Sequence, residues 1–160
     1  MLAATRLQVH NAIVARVRTV SGVGPVFDRV RRPKQETEGQ IVELFNDASG
    51  ILNCVFVRYV GLLRETSSFD DTISLSYVFE LEYRYAWNER DDDDSPSELI
   101  FNSFLDGLDA AFTDYDLGFD PGVSSRGIEI LQPISRDPQP FYAKLCHTAY
   151  PRLVVSVSEC

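Results

Sequence analysis

Between Ile73 and Trp87 the chain alternates with period two. Ile73, Leu75, Tyr77, Phe79, Leu81, Tyr83, Tyr85 and Trp87 occupy the odd positions. Ser74, Ser76, Val78, Glu80, Glu82, Arg84 and Ala86 fill the even ones and are mostly polar. Successive side chains of a strand point to opposite faces, so this pattern predicts one strand with an apolar face and a wet face. About 15 residues at about 3.3 Å each span roughly 50 Å, longer than most globular strands. Such a strand either bends round a core or runs beyond its own domain.

Helical spacing marks two other stretches. Residues 5–20 predict a helix with Thr5 at the N-cap and a stripe of Leu7, Ala12, Ile13, Val17 and Val20. The run Ser21-Gly22-Val23-Gly24-Pro25 ends it. Ser95-Pro96-Ser97-Glu98 is a capping box with proline at the first helical position. It opens a helix over roughly 96–113. There Ile100, Phe101, Phe104, Leu105, Leu108, Ala111 and Phe112 share one face.

The remaining segments read as strands and loops. Ile41 to Phe45 and Ile51 to Leu63 predict a hairpin joined by Asn46-Asp47-Ala48-Ser49-Gly50. The second of these strands is apolar on both faces. Val55, Val57 and Tyr59 lie on one, and Leu52, Cys54, Phe56 and Val60 on the other. Such a strand sits mid-sheet or in an interface. Residues 64–72 read as a polar linker, and 114–126 and 135–150 as irregular. Gly127 to Ile134 and Pro151 to Val157 read as closing strands. The order predicts a single α+β domain over 1–160, with a mainly antiparallel sheet, a long central strand and two packed helices. Its first 38 residues form a basic helix and loop.

Charge changes this picture. Residues 1–34 hold seven Lys/Arg and one acid, a net of +6, while residues 35–160 carry a net of −15. An acidic body does not hold nucleic acid by neutralising phosphates. A basic arm on an acidic body suits a protein neighbour or a second copy. The expected assembly interface is Arg29, Arg31, Arg32 and Lys34 on the basic side, with Asp91, Asp92 and Asp93 among the acids. No run of 18 apolar residues predicts a membrane helix, and the first residues do not read as a secretory signal. Three cysteines, Cys54, Cys146 and Cys160, lack metal-ligand spacing and read as reduced structural thiols.

No catalytic, cofactor or metal signature emerges. Cys146-His147 pairs a thiol with a base, but neighbours on a strand diverge. His10 reads as a core-edge residue of the first helix. Gly22 and Gly24 lack the context of a dinucleotide fold. The tyrosines and Trp87 of the long strand could stack bases, but their alternation with Glu80 and Glu82 favours a packed face. The run Asp91 to Asp94 lacks the spaced ligands of a calcium loop, and adjacent aspartates cannot all converge on one ion.

The Thr5–Val20 helix, the long Ile73–Trp87 strand, the Ser95-Pro96-Ser97-Glu98 helix start and the closing Arg152, Leu153, Val154, Val155 and Val157 together resemble bacteriophage tail terminator (tail-completion) proteins, or related neck and tail-tube proteins. The likeness lies in element order and size and covers most of the chain. The irregular stretches 114–126 and 135–150 are longer than that pattern. The resemblance implies a non-catalytic virion protein that forms a ring, usually a hexamer, on a finished tail tube. Its partners would be itself, the tube protein and the head-side connector. DNA would pass through the ring without specific binding, and assembly would take place in the host cytoplasm. Two other readings stand beside it: a small cytosolic enzyme or ligand-binding domain with an aromatic pocket, and a monomeric adaptor that binds by strand addition.

The aspartate run yields a direct test. The thermal stability of both the parent and the Asp92→Asn/Asp93→Asn variant is expected to be indifferent to chelator. A calcium- or magnesium-dependent rise in Tm that the variant loses would overturn this.

Overall fold

The computed structural model describes residues 4–31, 44–67, 69, 73–88, 96–119, 123–129, 138–141 and 144–157. Within them the order is α1 (Arg6–Val17), β1 (Val26–Phe27), β2 (Asn53–Thr66), β3 (Ile73–Ala86), α2 (Pro96–Phe112), β4 (Thr113–Tyr115), β5 (Val123–Glu129), β6 (Gln139–Phe141), β7 (Lys144–Ala149) and β8 (Arg152–Val157). The fold is α+β. One mixed, mostly antiparallel sheet runs β1-β2-β3-β8-β5-β4, and β7 joins β3 to β6. The β1–β2 pair is parallel.

The predicted long strand is the sheet's spine. On one edge β3 pairs with β2 from Ile73 to Tyr85. On the other it pairs with β8 from Ser76 to Glu80 and with β7 from Tyr83 to Ala86. The register does not change between β8 and β7, so the two form one strand interrupted at Pro151. Proline has no N–H to give to the ladder, yet its carbonyl still accepts from Leu81 N at 2.8 Å.

Both faces of the spine are covered over much of its length, which corrects the expectation of a wet even-numbered face. On the first face Tyr77, Phe79, Leu81, Tyr83 and Tyr85 pack with Val9, Ile13 and Val17 of α1 and Phe101, Phe104 and Leu108 of α2. On the second, Phe45, Leu52, Cys54, Phe56, Phe141 and Cys146 form a smaller core. β2 contributes to both cores, as its two apolar faces required.

Glu82 and Arg84, on the second face, are buried together. Arg84 donates from Nη2 to Glu82 Oε1 at 2.6 Å and from Nε at 2.9 Å, with Thr148 Oγ1 at 3.3 Å and Tyr150 OH at 3.2 Å. Its guanidinium lies over the Phe141 ring, 4.5 Å from the centroid. A buried charge is tolerated only when paired and hydrogen-bonded. Burial alone would lower the Arg84 pKa, but the Glu82 carboxylate outweighs it and holds the guanidinium above its ordinary value.

Several boundaries differ from the sequence reading. α1 presents Val9 and Val14 inward, while Leu7 is exposed. Ile100 is also exposed rather than on the buried stripe of α2. β2 continues through Arg64–Thr66, placed above in a linker, because cross-strand pairing with β3 holds the polar residues extended. β4, β6 and β7, and the start of β5 at Val123, occupy stretches read as irregular. These strands are short, polar or proline-bearing, and they form through pairing rather than through their own pattern. Gly24 fits because any Cβ there would collide with the Asn53 carbonyl where the chain enters β1.

Phe79 and Phe104 hold the two layers of the first core together, and each is at most 3% exposed. Truncating either to Ala is expected to cost about 3–5 kcal/mol. Denaturant midpoints unchanged in both variants would refute this packing.

Candidate functional site

The feature that sets this sheet apart is where β2 and β3 outrun their neighbours. Among the described residues β8 pairs with β3 only from Ser76 to Glu80, and β1 with β2 only at Val55 and Phe56. Beyond those points β2 and β3 continue as a short two-stranded arm, Arg64–Thr66 against Ile73–Leu75. Among the described residues no strand pairs with the outer edge of β2 from Tyr59 to Thr66.

A β-bulge between Tyr59 and Gly61 sets the arm's faces. Before it, the odd residues of β2 lie on the helix-bearing face. After it, Leu62, Arg64 and Thr66 do so, opposite Tyr77, Leu75 and Ile73. One extra residue shifts the phase of everything that follows. The arm and the stretch of β2 leading into it therefore carry Leu62 and Ile73 on one face and Leu63 on the other, with Phe69 beyond the strand pair. These are 41%, 57%, 46% and 99% exposed. Apolar side chains clustered on a projecting strand pair mark an interaction surface. Bare backbone along the edge adds hydrogen-bonding capacity.

Exposed charge is uneven, although the β1–β2 side also carries exposed Asp28 and Glu65. The β1–β2 side and α1 bear exposed Arg6, Arg18, Arg29, Arg58 and Arg64. α2 and the β4 segment that follows it bear exposed Glu98, Asp106, Asp109, Asp114 and Asp116. Some of this charge is locally engaged. Arg58 donates to Glu80 at 2.9 Å, and Arg6 lies over the Tyr59 ring at 4.8 Å.

Of the expected interface residues, Arg29 and Arg31 follow β1. Arg29 lies 3.4 Å from Asp28, and both side chains are well exposed. Arg31 sits over the Phe27 ring at 5.3 Å. Arg32, Lys34, Asp91, Asp92 and Asp93 lie outside the described residues, as does Cys160. Sequence reasoning missed the arm's apolar surface. Its one available signal was the excess length of the long strand.

The remaining candidates separate. Cys146 and His147 do diverge: Cys146 is in the second core, whereas His147 turns to the helix side. There its Nε2 lies 3.0 Å from Ser97 Oγ in the first turn of α2, and its ring lies 5.3 Å from Phe101. Sequence distance hid this Ser–His contact. It adjoins an open cleft of about 430 Å³ lined by Ile51, Tyr85, Trp87, Asn88, Ser97 and Ile100. His10 packs edge-on against Phe79 and places Nε2 3.2 Å from the Val57 carbonyl, as a core-edge residue. Among the described residues no helix is long and apolar enough to cross a membrane. No protein-family model and no curated protein matches this chain.

Beneath α2, the Tyr83 ring stacks on Phe101 at 5.0 Å and lies tilted against Phe104 at 4.2 Å, and among the described residues its buried hydroxyl has no hydrogen-bond partner. Burial, reinforced by Tyr85, pushes the phenol's pKa above its ordinary value. An acid whose folded pKa is raised stabilises the fold fully below its unfolded value, about 10. That contribution is lost as pH rises through the folded value. Tyr83→Phe removes the unpartnered hydroxyl. It is expected to raise stability by about 1–3 kcal/mol and to move alkaline unfolding to higher pH. Unchanged stability together with an unchanged alkaline transition would refute this account.

Proposed function

We propose that this protein is a structural assembly subunit: a ring-forming tail terminator that caps a phage tail tube and joins it to the head-side connector. The single observation that carries the reading is the β2–β3 arm, which among the described residues extends past the other strands with exposed apolar side chains and an unpaired β2 edge. A strand pair of this kind gains by continuing into, or lying on, a neighbouring protein. The basic first 34 residues against an acidic remainder support contact between unlike surfaces, which closes into a ring when the rotation allows. The acidic balance of the chain supports passage of DNA without adhesion. The position in a virion comes from the resemblance in element order alone.

A second reading has one observation in its favour, the Ser97–His147 contact beside an aromatic cleft. Nucleophilic catalysis needs an accessible oxygen, and Ser97 is only 4% exposed. The assembly reading is the stronger.

Light scattering after size exclusion, with negative-stain electron microscopy, tests it. Wild-type protein, alone or mixed with tail tubes, is expected in rings. Leu62→Asp with Ile73→Asp is expected to stay folded by circular dichroism and to lose assembly. A wild-type protein that stays monomeric and leaves tube ends uncapped would overturn the reading. So would rings formed normally by the double variant.

A further inference from the structure

We propose that the wedge between the turn after α1 and the start of α2 is a binding site for a small, uncharged, mostly apolar molecule that carries a hydroxyl group. The site is separate from the arm and from the open edge of β2.

The wedge follows from a close approach. Gly107 lets α2 lie against the end of α1, where a Cβ would come within 3.0 Å of Val20. Nearer the start of α2 the two surfaces part. They leave an open cleft of about 370 Å³ lined by Ser21, Gly22, Leu99, Ile100, Ser103 and Phe104. Leu99 and Ile100 stay 64% and 48% exposed at its rim.

Behind this cleft, Tyr83 OH and Asn53 Oδ1 are buried with no hydrogen-bond partner among the described residues. The Tyr83 ring lies 4.2 Å from that of Phe104, and Asn53 Nδ2 donates to the Gly22 carbonyl at 2.8 Å. Each residue thus abuts one wall of the cleft. In the β2–β3 register Asn53 stands opposite Tyr85, and Val55 opposite Tyr83. Asn53 and Tyr83 are therefore diagonal neighbours on the helix-bearing face, a spacing that an aromatic side chain spans. One hydroxyl complements both, accepting from Tyr83 OH and donating to Asn53 Oδ1. No charged side chain among the described residues lines the cleft. An ion would lose its hydration there without a partner, so the ligand is neutral. Its apolar body lies between Leu99, Ile100 and Phe104. Ile100 also lines the second cleft, beside Tyr85 and Trp87. With open space on both sides, its side chain yields and lets the hydroxyl reach inward. Buried polar groups left unpaired penalise a hydrocarbon of the same shape, which gives the site its selectivity.

Phenol and toluene, nearly equal in shape, are the probes, and backbone amide shifts in NMR spectra locate and quantify binding. Phenol is expected to shift the amides of Gly22, Ser103 and Phe104. In Tyr83→Phe the ratio of phenol to toluene affinity is expected to fall about tenfold. Ile100→Trp, a change at a half-exposed position, fills the wedge and is expected to abolish binding of both probes. Wild-type amides unmoved up to the solubility limit of phenol, or shifts that map away from the cleft, would overturn the site. Binding retained by Ile100→Trp would do the same. A phenol-to-toluene ratio unchanged by Tyr83→Phe would overturn recognition of the hydroxyl.

Discussion

The pairing of β3 along both of its edges is the constraint on which the rest of this structure depends. β2 holds one edge over almost the whole strand, and the interrupted β7–β8 strand holds the other from Ser76 onward. Two helices pack on one face of this spine, and a second, smaller core forms on the other. Neither layer is organised independently of β3. Its odd residues fill the first core, and Arg84 ties Glu82 to Thr148, Tyr150 and the Phe141 ring.

That buried pair has a specific consequence for the chain's second half. β6 and β7 are short and carry little pattern of their own, and β6 contains Pro140. Satisfying a guanidinium inside the protein requires acceptors at defined positions, and Thr148 of β7 and Tyr150 just beyond it supply them. A register slip of one residue would turn Thr148 away and leave the charge without these partners. The polar network thus selects the register that the apolar residues alone leave less sharply defined.

The same spine generates the proposed assembly surface. A sheet of even strand lengths would have ended where β8 ends. Here β2 and β3 continue, and the bulge at Tyr59/Gly61 places Leu62 on the face that the helices occupy further along. The apolar surface of the arm extends the first core past the point where the helices cover it. This continuity favours a protein partner over a small ligand, which would need an enclosed cavity.

Much of this was legible in the chain itself. The period-two run from Ile73 predicted β3, the capping box and 3.6-residue stripe predicted α2, and the doubly apolar run of β2 predicted a strand buried on both sides. Those signals are strong because burial imposes a periodicity that the sequence must carry. Charge asymmetry was likewise readable from composition. Tertiary structure decided what has no local signature. The pairing of Arg64–Thr66, and the formation of β4, β6 and β7, depend on partners far along the chain. So does the burial of Glu82 and Arg84 on a face whose alternation reads as wet. The bulge that reverses the facing of β2 is a single added residue, invisible until β3 is laid beside it. The contact of Ser97 with His147 joins residues fifty positions apart. The sequence specified which residues seek burial; only the assembled sheet decided which of them would be left outside it.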